Sequence, residues 1–415
     1  MGRRTANPTG LTEPGHSGTS RRSWLTANLA VGTASLAACT SSEATDSTAG
    51  SSASSPDLDS RAGQTYAFFG QRQPGVAQPP QAFASWVGFD LVKGADRDAV
   101  RRLMVVWSDD IPRLMAGTGP LTDQEPELAA VAAGLTATVG WGPGLFSAAR
   151  LTKPSWLHPL PAYDIDRLQP AYGQTDVIVQ VCADSPVTLA HARRQLITGV
   201  SDLAAVRWIQ SGFREPMITH PDNRRMRNLF GQVDGTVNPD PSKAEDAALI
   251  WTSGTDTWPA GGTSLVLRRI AMNMSTWDQA DRESRENAIG RRLDTGGPVT
   301  GGAESAVADL NATDSLGFHV IDDVAHIRRA AAEKPNERIL RRPYNYDDTG
   351  QIEDHPVGLL FAAYQKDPMA QFAPIQERLS KGDLLNLWTT PIGSAVYAVP
   401  PGCRDGEYLG QPLLT

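Results

Sequence analysis

From Tyr66 onward, short apolar runs of strand length alternate with longer stretches whose apolar residues recur every three or four positions. These two periods separate strands from amphipathic helices. The apolar runs predict strands over residues 86–91, 136–140, 176–182, 206–213, 264–273, 358–365 and 394–399. The helical spacing predicts helices over 96–116, 125–133, 186–200, 276–290 and 368–379. Strands interleaved with helices in this way give an α+β fold.

Two stretches are alike when laid side by side: DVIVQVCADSPVTLAHARRQL from Asp176, and GLLFAAYQKDPMAQFAPIQERL from Gly358. Each reads as a buried strand, a polar turn ending in proline and an amphipathic helix, and each is followed by a further apolar strand. The strand near Phe89 and the helix after Asp96 echo the strand near Leu267 and the helix after Thr276. Two β-α-β halves of ferredoxin-like plan, over 63–260 and 261–415, account for both likenesses. Within the second half, residues 291–356 are polar and glycine-rich, and long stretches of that kind in a compact domain tend to be functional.

The first 62 residues follow neither period. Ser20-Arg21-Arg22-Ser23-Trp24-Leu25 matches the twin-arginine export pattern, and a moderately apolar run follows to Ala38. Residues 1–39 are therefore expected to be a signal for export in the folded state. Leu36-Ala37-Ala38-Cys39 has the form of a lipobox, which would leave the chain lipid-anchored at Cys39, or secreted if cleavage falls nearby instead. Residues 40–62, rich in Ser, Ala, Thr and Asp, cannot bury a core and are expected to be a disordered tether.

Composition narrows the function. A net charge of -8 without a Lys/Arg-rich stripe in the body gives no footprint for nucleic acid. Three cysteines, Cys39, Cys182 and Cys403, are too few for a disulfide framework and lack zinc-site spacing. No stretch after residue 60 reaches the roughly 20 apolar residues that cross a bilayer.

Candidate chemistry sits at three places. In NLFGQVDGTVNP, Gly231 and Gly235 flank Asp234, so the backbone can approach a flat or bulky ligand with a carboxylate aimed at it, although Asp-Gly turns are also common without a ligand. In IDDVAHIRRA, His326 offers an imidazole able to ligate haem iron. Fifteen residues on, ILRRPYNY carries Arg341 and Arg342, either of which can stabilise charge on a bound peroxide.

The ordered set of Gly231-x-x-Asp234-Gly235, His326 in a His-x-Arg element and Arg341 in an Arg-Arg-x-Tyr element resembles the dye-decolorizing peroxidase family. The runs GLLFAAYQ, PIGSAVYAVPPG and EYLGQPLL add to the likeness, which extends over nearly the whole body. It is strongest toward the secreted branch that includes iron-uptake haem peroxidases of the deferrochelatase type. The resemblance implies a dimeric α+β barrel: two ferredoxin-like halves in one chain, with antiparallel sheets and peripheral helices. It implies one haem b per chain in the C-terminal half, with His326 as proximal ligand, Asp234 as distal acid/base beside Gly235, and Arg341 as distal cation with Arg342 its adjacent alternative. Arg268 and Arg269 are candidates for the haem propionates, and Leu360 and Phe361 for the distal roof. Asp322, Asp323 and Asp383 are candidate partners for the second nitrogen of His326. The implied activity is reduction of hydrogen peroxide through a ferryl intermediate and oxidation of bulky aromatic donors such as dyes, with Tyr344, Tyr346 and Trp388 as candidate electron relays. Two alternatives accompany it: release of iron from haem, working with iron-uptake membrane components, and a non-enzymatic extracytoplasmic haem-binding lipoprotein. A homo-oligomer is also expected.

Overall fold

A computed structural model describes residues 63–215, 225–254 and 258–415. The signal over 1–39, Cys39 and the tether over 40–62 lie outside the described residues.

The N-terminal half runs β1 (Phe83–Leu91), α1 (Arg97–Met115), β2 (Thr136–Trp141), α2 (Pro143–Ala149), β3 (Val177–Ala183), α3 (Pro186–Thr198) and β4 (Ala204–Phe213). The continuous apolar runs became β2 and β3, which are buried at every position. Asp96 caps α1 by accepting from the Ala99 amide at 2.9 Å, and the buried stripe through Val100, Leu103, Trp107, Ile111 and Leu114 turns one face of the helix to the sheet. Trp107 Nε1 donates to the Leu196 carbonyl at 3.0 Å, which fixes α1 against α3. Ser185 caps α3, with Pro186 at its first position, where a missing amide costs nothing.

After β4 comes α4 (Ala244–Ile250), and the C-terminal half then runs β5 (Thr263–Met272), α5 (Met274–Trp277), α6 (Arg282–Ile289), α7 (His326–Arg329), β6 (Leu340–Arg341), β7 (Tyr344–Asp347), β8 (Val357–Gln365), α8 (Phe372–Gly382), β9 (Thr389–Val399) and α9 (Gln411–Leu414). β6 and β7 lie along the same edge of β8 and are parted at Pro343, which has no amide to give to the ladder.

All pairings between these strands are antiparallel. The first half has the order β2-β3-β1-β4, and the second has β9-β5-β8-β7, the same arrangement repeated. The halves join where Trp141 of β2 meets Ala398 of β9 and where Phe213 of β4 meets Asn345 of β7. Because β5 pairs with both β9 and β8, the sheet closes on itself as a barrel of two ferredoxin-like halves. A glycine precedes the joining residue at each seam. A Cβ on Gly140 would stand 3.0 Å from Tyr397 Cβ, and one on Gly212 would stand 2.8 Å from Tyr344 Cβ. Trp86, Tyr344, Leu360, Tyr364 and Tyr397, drawn from strands of both halves, pack together as one buried cluster.

Three helix expectations are corrected. Residues 125–133 form only a 3-10 turn at Pro126–Leu128; the chain then leaves the helical path, Ala133 turning left-handed (φ +47°), and is anchored by tertiary bonds from Thr188 Oγ1 to the Val131 carbonyl at 3.0 Å and from the Asp184 amide to the Ala133 carbonyl at 2.8 Å. The helix expected over 276–290 is two: Asp281 accepts from the Ser284 amide at 2.8 Å and starts α6 afresh. The helix expected over 368–379 begins later, at Phe372, because Asp367 Oδ1 ties the Met369 and Ala370 amides into a turn. Cys182 and Cys403 are both free and buried.

Candidate functional site

Asp234 is held by a loop that shapes itself. Asn228 Oδ1 accepts from the amides of Phe230 and Gln232 at 3.1 Å each, and Gly231 (φ +81°) and Gly235 (φ +86°) supply the left-handed turns that only glycine adopts freely. Arg227 staples the loop to the next segment by donating to the carbonyls of Gly231 at 2.8 Å and Asp294 at 2.9 Å. Asn238, four residues beyond Asp234, gives its amide hydrogen to the Arg341 carbonyl at 2.7 Å and accepts from the Arg341 backbone amide at 3.2 Å and Nε at 3.3 Å. One loop therefore presents the carboxylate and fixes the arginine facing it. Arg341 Nη1 lies 3.3 Å from Asp234 Oδ1, an oxygen that is buried and makes no hydrogen bond. Asp234 and Arg341 share a cavity of about 390 Å³, walled from the N-terminal half by Pro79, Pro80 and Arg214.

Strand alternation separates the two arginines. Leu340 belongs to the cluster that joins strands of both halves, Arg341 points the other way, and Arg342 points back and is 2% exposed. Its guanidinium donates to the Gln78 carbonyl and to Gln81 Oε1, both at 2.6 Å, so Arg341 and not Arg342 stands beside Asp234.

His326 opens α7. Its Nδ1 lies 2.6 Å from Oδ2 of Asp383, a residue with only 4% of its side chain exposed. A carboxylate only accepts, so Nδ1 carries the hydrogen and the neutral ring keeps its lone pair on Nε2, which has no hydrogen-bond partner among the described residues. Asp383 is itself fixed, its Oδ1 accepting from the Leu385 amide at 2.9 Å. The other two candidates are elsewhere: Asp322 accepts from the Val324 amide, and Asp323 pairs with His319 and Arg328. Burial works against a charged imidazole at His326, but the charge and hydrogen bond of Asp383 outweigh it and raise the pKa above the usual histidine value. Arg341 pushes that pKa down and Asp234 pushes it up, so all four groups share one electrostatic neighbourhood.

An apolar cluster joins the segments that carry these two ends. Met226, Phe230, Met272, Trp277 and Leu359 form it, with Phe361, Leu385 and Trp388 packed against them. Phe230 comes from the Asp234 loop and Leu385 from the turn after Asp383. Among the described residues no group of three or more His, Cys, Asp or Glu side chains is placed to hold a bare metal ion. A lone histidine with an open Nε2, a buried carboxylate oxygen that makes no hydrogen bond and an apolar cluster joining their segments fit an iron already held by a porphyrin.

Three expected cofactor contacts are placed elsewhere. Arg268 is committed to Asp166 and to Ser394 Oγ at 3.3 Å. Arg269 bonds Gln210 and Asp348 and is sandwiched between the rings of Tyr172 and Tyr346, so neither guanidinium is free for a propionate. Leu360 packs with Tyr344 on the opposite face of β8 from Phe361, and it is Leu359 that shares the face of Phe361. Tyr344 and Tyr346 are wholly buried rather than at the surface. Trp388 is half-buried and stands edge-on to Trp277, which stacks on Phe230 with centroids 4.3 Å apart. Sequence reasoning missed Asn238 and Leu359. An Asx-type residue four positions after Asp234 was the signal for the first, and the two-residue strand period for the second.

Residues 73–214 match the family model described as Dyp-type peroxidase, N-terminal, and residues 225–404 match Dyp-type peroxidase, C-terminal. A dye-decolorizing peroxidase of Thermobifida fusca is 36% identical over 82% of this chain and 83% of its own. A deferrochelatase of Escherichia coli is 30% identical over 84% of this chain and 86% of its own. The crystal structure of a DyP-type peroxidase from Cellulomonas bogoriensis superposes with a TM-score of 0.82 at 52% identity, covering 85% of this chain and 99% of that one. The chain belongs to the Dyp-type peroxidase family and is a haem peroxidase of that family.

Proposed function

We propose that this chain reduces hydrogen peroxide at a haem b ligated by His326 and oxidises bulky aromatic donors such as dyes. The observation that carries this reading is the Asp234–Arg341 pair at 3.3 Å, in one electrostatic neighbourhood with a His326 buttressed by Asp383. Bound haem would supply the redox chemistry, taking two oxidising equivalents from peroxide and passing them on to donors. The protein's own part is proton movement and charge placement. Asp234, its Oδ1 free of hydrogen bonds, takes the proton from one peroxide oxygen and delivers it to the other, which leaves as water. Arg341, held by Asn238, faces the negative charge that builds as the O–O bond breaks.

Replacing Asp234 tests this. In Asp234→Asn, kcat/KM for peroxide is expected to fall by roughly 10²–10⁴-fold while haem uptake is kept. Unchanged turnover in a haem-loaded variant would overturn the assignment of Asp234 as acid/base. The relatives named deferrochelatase favour a second reading, release of iron from haem with the porphyrin intact. Free protoporphyrin after incubation with haem and a reductant supports it, and its absence counts against it. We also propose export by the twin-arginine route with lipid anchoring at Cys39, motivated by Arg21-Arg22 and the Leu-Ala-Ala-Cys run. Replacing both arginines by lysine is expected to hold the protein in the cytoplasm, and Cys39→Ala to free it from the membrane fraction.

A further inference from the structure

Besides His326, α7 carries two cations, Arg328 and Arg329. Arg328 is fully used within the protein. It donates to the Ile321 and Leu310 carbonyls at 2.6 Å each and pairs with Asp323 at 3.6 Å. Arg378, which packs against the same segment from α8, donates to the Arg329 and Ala331 carbonyls and pairs with Glu337 at 2.9 Å. Arg329 is different. No carboxylate of the described residues lies within ion-pair distance of it, and its Nε is buried without a hydrogen-bond partner.

The position of Arg329 is nevertheless built. Its guanidinium lies over Gly382, where a Cβ would stand 3.0 Å from Arg329 Cζ and Nη2, so a larger residue at 382 would displace it. Gly382 adjoins Asp383, the partner of His326. The dipeptide 382–383 thus receives both the imidazole and the guanidinium, one turn apart on the same helix. Among the described residues only the exposed Asp323 acts on this half-buried cation, and from beyond ion-pair distance, so a guanidinium with a buried, unbonded Nε beside the Asp383 that buttresses His326 is left to meet an anionic group on the ligand itself. Arg268 and Arg269 have no such capacity left, since Asp166 and Asp348 already neutralise them.

We propose that Arg329 holds a propionate carboxylate of the haem. The assignment rests on the reading of His326 as haem ligand. Arginine suits the role because its planar fork matches a carboxylate in two parallel hydrogen bonds. It also gives α7 two functions, ligating the iron through one residue and orienting the porphyrin edge through another.

The test perturbs both partners. Full-length protein, Arg329→Gln and Arg329→Lys are each loaded with haem b and with its propionate dimethyl ester, and the rate of porphyrin loss to an excess of an apo-globin acceptor is followed spectroscopically. Unaltered protein is expected to keep haem at least roughly ten-fold longer than the ester. Arg329→Gln should lose most of that preference, and Arg329→Lys should restore part of it, with the Soret band of the His326-ligated iron unchanged in all three. A preference in Arg329→Gln and Arg329→Lys as large as in the unaltered protein would overturn the assignment while leaving the haem reading intact. Failure of the unaltered protein to take up either porphyrin would overturn both. Apo-protein melting curves identify a variant that fails to fold, and the remaining variant then carries the comparison.

Discussion

Asn238 shows how a residue that touches no reacting atom sets the chemistry. Three hydrogen bonds join it to Arg341, one through the side-chain Nε. Asn238→Ala removes that grip while leaving Asp234 and His326 in place. A cation misplaced by about an ångström costs on the order of 10²-fold, so kcat/KM for peroxide is expected to fall by roughly 10–100-fold with the haem spectrum preserved. A loss confined to haem uptake would show that Asn238 is only structural. Asp383 acts through His326 in the same indirect way. Asp383→Asn removes the negative charge that makes the imidazole a stronger donor to iron, so the Fe(III)/Fe(II) potential should rise and haem be held about 10–100-fold more weakly. A redox titration and a haem-transfer assay read the two effects separately.

At the scale of elements, the informative failure is the helix expected over 125–133. Its composition favours a helix, yet beyond Leu128 the chain runs as a loop held by tertiary bonds, the Val131 carbonyl to Thr188 of α3 and the Ala133 carbonyl to the Asp184 amide just before it. The same loop carries Asp123, whose Oδ2 lies 2.7 Å from His191 Nε2 with both side chains 1% exposed, and whose Oδ1 accepts from Gln195 at 2.9 Å. Burial alone would raise the Asp123 pKa, but the Glu125 amide and His191 outweigh it and hold it below the ordinary 3.8. A lowered carboxylate pKa stabilises the fold above the unfolded value, and that contribution is lost as pH falls through the folded one. Stability should therefore show an Asp123-dependent loss below about pH 4 that is missing in Asp123→Ala. The variant itself should be less stable by about 3 kcal/mol at neutral pH, since it strands the buried His191 and takes a partner from the half-buried Gln195, as denaturant melts would measure.

The barrel as a whole depends on two narrow seams, each closed next to a glycine. Gly212→Val puts two methyl groups where Tyr344 Cβ and the Asn345 carbonyl already stand, at 2.8 and 2.9 Å from the first added carbon. A cost of about 1–3 kcal/mol follows, seen as a Tm lower by several degrees. Because β7 follows directly on Arg341 through Pro343, the same variant should also loosen the Asp234–Arg341 pair and lower peroxide turnover. Unchanged Tm and turnover would mean that the seam yields without cost.

The sequence by itself determined the strand positions, the repeat of the two halves and the residue types of the site. Continuous apolar runs can be buried in few ways, and Gly231, Asp234, His326 and Arg341 stand in motifs whose order along the chain identifies the family. What it could not determine were choices that depend on direction. Arg341 and Arg342 are equivalent in composition, and only the pleat of β6 turns one toward Asp234 and the other away. The same pleat exchanged Leu360 for Leu359 beside Phe361. Asp383 was one of three candidate carboxylates, and it became the partner of His326 because α8 brings a residue 57 positions away to within 2.6 Å. Arg268 and Arg269 read as free cations until the fold brought Asp166 and Asp348 to them. Side-chain direction and long-range charge pairing arise only when the chain closes on itself, so they belong to the tertiary structure.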